Sequence, residues 1–382
     1  MSSIPSSSHS NRTQSTFRLV IDWFRRERLL SFLLLLTPLL MWLSDASPVV
    51  MVELVHWHTI ATLTGLMLLS AAIQWSGMVH CIARQLLRRL HNERFLALAL
   101  CLFAAALAAV ITNDVALFLV IPLTLVLGRI ARLPLARLII FQTLAVNAGS
   151  ALSPIGNPQN IFLWQTSEVS FIAFTLAMLP LAVPFGITLT IGIMLAFRSR
   201  RVELGSLSEP VESVDKQLFW PTLLLYPFFL YAIEAGYAWS ATIFLLAVYS
   251  LWQKGRLLQI DWALLLLFVL LFTHLGMLTR LPLMHDVAAW LLAMPMAEMT
   301  AGVLLSQVIS NVPATLFLQP FSDDWQMLAW GVNIGGFGLL IGSLANLIAL
   351  RLARQPKLFW QFHYWSMPCL LLSWLFTWLI FK

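Results

Sequence analysis

Apolar runs of about 17–25 residues, the length that crosses the hydrocarbon core of a bilayer, recur along the whole of this chain. They leave few folds open. Backbone in lipid must pair its own polar groups, so runs of this length become transmembrane helices. Composition agrees: of 382 residues 60% are hydrophobic and only 10% charged, far too few charges to cover a soluble domain of this size. Cys81, Cys101 and Cys369 are widely spaced within or beside apolar runs, which suits neither a disulfide framework nor a metal site. The histidines form no ligand cluster, no phosphate-binding G-x-x-x-x-G-K-[ST] loop occurs, and no cofactor is implied. Residues 1–28 read as a polar cytoplasmic tail rather than a cleaved signal.

Lys and Arg collect in cytoplasmic loops, and this fixes an expected topology. Arg12, Arg18, Arg25, Arg26 and Arg28 precede a first span at 29–44, which puts the N-terminus inside. A span at 57–77 returns to a loop with Arg84, Arg88, Arg89 and Arg94. The apolar stretches 95–111 and 115–127 then have basic residues at both ends and only TND between them. Their lengths give about 25 and 20 Å at 1.5 Å per residue, and a re-entrant hairpin with its tip inside the membrane is expected. Residues 138–165 cross outward and 169–197 return. A polar cytoplasmic linker, 198–217, separates a first transmembrane half, 29–197, from a second, 218–382. In the second half 287–321 is broken at Pro295 and Pro313 and flanked by Asp286, Asp323 and Asp324, so both its ends are external. This topology leaves only Arg280 and Lys382 outside. The net charge of +6 therefore belongs to the membrane surface, not to nucleic acid.

The halves share a pattern. TNDVALFLVIPL (112–123) aligns with SNVPATLFLQPF (310–321), matching Asn113 to Asn311 and Pro122 to Pro320. NAGSALSPIGNPQN (147–160) aligns with NIGGFGLLIGSLAN (333–346), matching Asn147 to Asn333, Gly149 to Gly335, Ile155 to Ile341, Gly156 to Gly342 and Asn160 to Asn346. One hairpin enters from inside and the other from outside. The expected fold is thus an all-α polytopic membrane protein: an inverted repeat with two re-entrant hairpins and two broken transmembrane helices, the plan of many secondary transporters. Unwound backbone at membrane depth is tolerated only when buried or lining a wet cavity. There its carbonyls can hold a cation, while half-helix N-termini favour an anion. Gly149, Pro154, Gly156 and Pro158 are the expected breakers. Asn147, Ser150, Ser153, Asn157 and Asn160 supply polar groups, as do Asn333, Ser343 and Asn346.

At these residues the chain resembles members of the ion transporter superfamily. That group includes CitM-type citrate transporters, dicarboxylate symporters, arsenite permeases and NhaD-type sodium/proton antiporters. Within it the chain is similar to the YbiR-type inner-membrane proteins of enteric bacteria. The resemblance runs from Trp57 to the C-terminus and is most specific in TNDVALFLVIPL, NAGSALSPIGNPQN and SQVISNVPATLFL. It implies a homodimer in a bacterial inner membrane, with a transport domain moving elevator-like against a scaffold. It also implies sodium and substrate sites at the hairpin tips, where dicarboxylate members carry Ser-Asn-Thr. Here the tips read Thr112-Asn113-Asp114 and Ser310-Asn311-Val312, and neither is Ser-Asn-Thr.

Asp114 is either a cation or proton site at mid-depth or an N-cap for a helix starting at Val115. Asn113 and Asn311 are site residues or polar glue between helices. Gly335, Gly336 and Gly338 line the site or allow close packing, with Gly342 among the site candidates. His274 reads as a structural hydrogen-bond partner. A Na⁺ is expected near Asn113, Asp114, Asn147 and Asn160, with the first copy holding the better cation site. The reading is a secondary active transporter of a small anion, carboxylate or oxyanion, coupled to Na⁺ or H⁺. Alternatives are a Na⁺/H⁺ antiporter using Asp114 and an arsenite-type permease. Two opposed hairpins favour alternating access over a channel. An intramembrane enzyme would need a Ser–His, paired-Asp or zinc constellation, and none is found.

Overall fold

The computed structural model describes residues 28–130, 133–202, 214–355 and 358–381. The N-terminal tail through residue 27 and residues 203–213 of the linker lie outside them. Among the described residues the chain is helical apart from one isolated bridge between Asn92 and Arg201. Contacts divide the described residues into two compact units, those up to 56 with 261–284, and those of 57–260 with 285 onward.

In chain order the helices are α1 (Arg28–Ser44), α2 (Pro48–Glu53), α3 (Trp57–Trp75), α4 (Met78–Arg89), α5 (Glu93–Val110), α6 (Asn113–Ile130) and α7 (Leu135–Ala151). There follow α8 (Pro158–Thr166), α9 (Phe171–Met178), α10 (Ala182–Ala196), α11 (Lys216–Glu234), α12 (Ala238–Trp252) and α13 (Trp262–Leu278). The last six are α14 (Pro282–Leu292), α15 (Ala297–Ile309), α16 (Asn311–Leu318), α17 (Trp325–Ile334), α18 (Leu344–Ala353) and α19 (Leu358–Phe381).

Among the described residues three helical stretches are long and apolar enough to cross a membrane: Glu93–Val110, Phe171–Ala196, which joins α9 to α10 through a 3₁₀ turn, and Leu358–Phe381. One pair, α13 with α14, passes together and turns by 94° at its break. The fold is all-α, with several long apolar helices and one bent pair, as a polytopic membrane protein requires.

In the smaller unit α1 packs along α13, around Leu40, Ala46 and Met277. His274 is buried there, with Nε2 3.0 Å from the Leu33 carbonyl oxygen and Nδ1 against that of Leu270. It ties the backbones of two helices together, the structural role expected of it.

In the larger unit α3, α11 and α12 pack on one another. Apolar helices gain no hydrophobic drive toward each other in lipid, so buried polar contacts and small residues hold them. Ser70 meets the Tyr226 hydroxyl at 2.8 Å, Thr222 meets the Tyr249 hydroxyl at 2.7 Å, and Thr242 donates to the Ala61 carbonyl at 2.8 Å. At the centre of the other helices α7 packs against α5, α6, α10, α17, α18 and α19. The first residues of the linker return to the start of α5, where the buried Glu93 carboxylate pairs with Arg200.

Three local expectations are corrected. The arms of the first hairpin were expected to be 17 and 13 residues, whereas α5 and α6 have 18 each, or about 27 Å. Of the two, only α5 is long and apolar enough to cross by itself; the apolar part of α6, Asn113–Val126, is shorter. Pro313 does not break the second pair: it lies in the first turn of α16, where a missing N–H costs nothing, and the break falls at Ser310. Nor does Gly149 break its helix. It sits inside α7, where a Cβ would lie 2.0 Å from the Ala105 carbonyl oxygen of α5. The glycine is there for close helix contact.

Candidate functional site

The first break begins where α7 ends at Ala151, and the chain stays unwound until α8 starts at Pro158. A helix end leaves its last carbonyls without partners, which in an apolar interior is costly. Asn160 meets that need from the far side of the break. Its Nδ2 donates to the carbonyls of Ser150 (3.4 Å), Ala151 (3.1 Å) and Ser153 (3.0 Å). Asn157 caps α8, its Oδ1 accepting from the Asn160 N–H at 2.9 Å, and its Nδ2 donates to the Ser150 hydroxyl at 3.2 Å. Ser150 in turn donates to the Asn147 carbonyl at 3.0 Å, and the Ser153 hydroxyl accepts from Ile155 N–H at 3.3 Å. Gly156 closes the turn so tightly that a Cβ would lie 2.2 Å from the Ser150 carbonyl oxygen.

The second break runs from Gly335 through a 3₁₀ turn, Leu340–Gly342, to α18. Asn346 plays the part of Asn160, donating to the carbonyls of Gly336 (2.9 Å) and Leu339 (3.4 Å). Ser343 caps α18 by accepting from Ala345 N–H at 3.3 Å. The other partners come from neighbouring helices. Gln307 of α15 donates to the Gly335 carbonyl at 2.7 Å and accepts from Leu339 N–H at 2.8 Å. On α19, Ser366 donates to the Gly338 carbonyl and His363 accepts from Leu340 N–H.

The two breaks meet through their asparagines. Asn147 Nδ2 donates to Asn346 Oδ1 at 2.8 Å and to the Gly336 carbonyl at 3.1 Å. Asn333 Nδ2 donates to Asn160 Oδ1 at 2.7 Å, and its own Oδ1 accepts from Asn157 Nδ2 at 3.0 Å. The alignment equates Asn147 with Asn333 and Asn160 with Asn346. The pairs 147–346 and 333–160 are thus one contact made twice, with the partners exchanged. All of these side chains are buried.

Both predicted tips lie in the same unit. Asn113 N–H donates to the Gly156 carbonyl at 2.8 Å, which binds the first tip to the first break. Asn113 Oδ1 accepts from Asp114 N–H at 2.9 Å, and Asn311 Oδ1 accepts from Val312 N–H at 3.0 Å. Asp114 is consequently not the N-cap of a helix starting at Val115: α6 starts at Asn113, and Asp114 lies in its first turn. Thr112 and Asp114 are buried, as are Ser310 and Asn311. Ser310 has φ 76° and ψ 155°, a conformation reserved almost wholly for glycine. A Cβ on Gly336 would lie 3.4 Å from Asn311 Nδ2 and 3.7 Å from Asn147 Cγ, so the second tip, the second break and α7 converge there.

Some candidates lie aside from this convergence. Gly149 faces α5, Gly335 faces the Ser306 side chain of α15, and Gly342 faces the Gly335 carbonyl. Four residues were not anticipated: Gln307, His363 and Ser366 at the second break, and Gln159 at the first. Gln159, in the first turn of α8, is 2% exposed and its Oε1 has no hydrogen-bond partner. Its sequence signal is a polar residue standing between two asparagines, Asn157 and Asn160. Among the described residues no group of three His, Cys, Asp or Glu could hold a metal ion. The polar groups that converge are amides, hydroxyls and carbonyls, with Asp114 the acid beside them.

Comparison with known proteins shows the family. The family model described as Citrate transporter (CitMHS) matches residues 19–330. The chain is 44% identical over 319 residues to the "Inner membrane protein YbiR" of Escherichia coli, covering 83% of this chain and 85% of that one. It is 32% identical over 318 residues to the "Uncharacterized transporter MJ0456" of Methanocaldococcus jannaschii, covering 82% and 86%. A shorter match, 28% identical over 152 residues, is to the "Silicon efflux transporter LSI3" of rice, covering 40% and 31%. These matches make it a multi-pass membrane transport protein, not an enzyme: the chain belongs to the citrate transporter (CitMHS) family.

Proposed function

We propose that the facing breaks are the binding centre of a secondary active transporter for a small anion, carboxylate or oxyanion, coupled to Na⁺ or H⁺. The observation that carries this reading is the reciprocal bonding of Asn147 to Asn346 and of Asn333 to Asn160. A two-fold exchange of equivalent residues is what an inverted repeat, 29–197 against 218–382 across the linker 198–217, would leave at its centre. In that repeat α5–α6 and α15–α16 are the opposed hairpins, the N-terminus is cytoplasmic, and transport is elevator-like in a homodimer.

The roles follow from the chemistry. Thr112, Asn113, Asp114, Ser310 and Asn311 present the tips. Asn147, Ser150, Ser153, Gly156, Asn157, Asn160, Asn333, Ser343 and Asn346 present the breaks, and Gly149, Gly335 and Gly342 let the backbones approach. The half-helix N-termini of α8 and α18 favour an anion. Asp114 supplies the charge for the coupling Na⁺ or H⁺. The Oδ1 atoms of Asn113, Asn147 and Asn160 already accept hydrogen bonds, so a Na⁺ beside them must compete with those donors.

A second reading is cation/proton antiport on Asp114, favoured by an acid at the tip and by the absence of any Lys or Arg there. The silicon efflux relative leans toward an oxyanion cargo, as an arsenite-type permease would. Purified protein in liposomes, offered citrate, succinate and Na⁺ in turn under imposed sodium or proton gradients, separates the readings. Asp114→Asn is expected to lower coupled transport at least tenfold and flatten its pH dependence. Unchanged transport and pH dependence in that variant would remove Asp114 from coupling.

A further inference from the structure

Every asparagine of the two breaks has both ends of its side-chain amide engaged, and Gln159 is the exception. It stands one residue after the proline that opens α8, between Asn157 and Asn160, whose side chains both bond Asn333. It is 2% exposed, yet its Oε1 finds no donor. A buried acceptor without a partner is uncommon and calls for an explanation. The remainder of this centre satisfies even weakly placed groups, as Asn160 does for three carbonyls in turn.

A primary amide offers an acceptor and a donor side by side. A fully ionised carboxylate or sulfate has only acceptors, so it can meet the N–H of such an amide and never its oxygen. An O–H group meets the oxygen. If it belongs to a solute that also carries an acceptor, both ends of the amide are used at once. The α8 N-terminus adds a positive pole beside this amide. It disfavours a bare cation as the missing partner and favours an oxygen-rich solute that brings its own proton.

We propose that Gln159 is a specificity-determining residue that contacts the cargo directly, selecting anions or weak oxyacids that carry a hydroxyl over fully ionised ones of the same shape. The proposal rests on the transport reading above and narrows its substrate class. The counterpart of Gln159 in the second break is Ala345, so this selection is made on one side of the centre only.

The test uses full-length protein in liposomes with two matched pairs: malate against succinate, and orthosilicic acid against sulfate. The pairs distinguish a hydroxycarboxylate from an oxyacid. Wild type should prefer the hydroxyl-bearing member of at least one pair by tenfold or more in kcat/KM, since a site built to bond a hydroxyl rejects the analogue lacking it. Gln159→Leu should shrink that preference to under twofold. Because its oxygen has no partner in the fold, this variant should also melt, ligand-free, no lower than wild type. A wild type that transports without preference, or a Gln159→Leu variant that keeps the preference, overturns the proposal and leaves the transport reading standing. A marked fall in Tm for Gln159→Leu also overturns it, by showing a structural role. A wild type that moves none of the four solutes overturns both.

Discussion

The two breaks solve one problem by different means. The first, 152–157, is held by side chains from its own stretch: Ser150, Ser153, Asn157 and Asn160 bond its backbone or one another. The second, 335–343, is glycine-rich and apolar, and takes Gln307, His363 and Ser366 from two other helices. By the polar residues within each stretch, the second break is the weaker of the two. By the hydrogen bonds each receives, it is not. Polarity at a membrane break measures where the partners come from, and a stretch of glycines lets neighbours come close enough to supply them.

One glycine from each break, Gly156 and Gly336, shows the contrast. At Gly156 a Cβ would sit 2.2 Å from a backbone oxygen and 2.6 Å from the Ser150 Cα, and neither atom can move without opening the break. Gly156→Ala should therefore cost about 3 kcal/mol, at the upper end for overpacking, and yield little folded protein. At Gly336 the same methyl would meet the Asn333 carbonyl oxygen at 3.1 Å and a side-chain amide at 3.4 Å. Gly336→Ala should cost under about 1 kcal/mol and act instead on transport. Detergent melting curves for the pair check the difference. Equal losses would mean that the two turns are equally rigid and the comparison fails.

A smaller effect is expected at the bridging asparagines. Asn160→Leu removes four side-chain hydrogen bonds. At roughly 0.6 kcal/mol each for bonds between membrane helices, with stranded carbonyls adding to that, the loss is about 2–4 kcal/mol. Asn346→Leu removes three, but Gln307 still holds Gly335 and Leu339, so about half that loss is expected. Unfolding monitored by tryptophan fluorescence ranks the two. In the double variant Gln307→Leu with Asn346→Leu, the second break should lose as much as the first loses from Asn160→Leu alone.

This asymmetry also separates what the sequence could reveal from what it could not. The membrane class, the helix breaks and the matched asparagines were legible because each depends on spacing or on residues that lipid tolerates only for a reason. The pairing of Asn147 with Asn346 was not, since residues almost two hundred positions apart carry no local signal for each other. Gln307 stands inside SQVISNVPATLFL, three residues before the tip, and its work is done on a different segment. Pro313 and Gly149 misled for a common reason. Each is a breaker by propensity, and each stands where tertiary position removes the penalty: the first turn of α16 and the contact face of α7.

The tips carry a small expected stability change, of the opposite sign. Ser310 sits at φ 76° and ψ 155° between α15 and α16, while Thr112, its counterpart, is not among the positive-φ residues. A non-glycine residue in that region stores about 1–3 kcal/mol, and Ser310→Gly should return about 1 kcal/mol of it as a higher Tm. The hydroxyl points to no essential fold contact, its bond to Asn311 Oδ1 being 3.5 Å long. Ser310→Gly thus isolates strain from packing. If the strained tip serves to hold Asn311 against Gly336, the variant should be more stable and slower in uptake at once. A variant that is more stable and equally fast would make the strain a by-product of the tight turn, and would leave the first tip, bonded from Asn113 to Gly156, as the better candidate for gating.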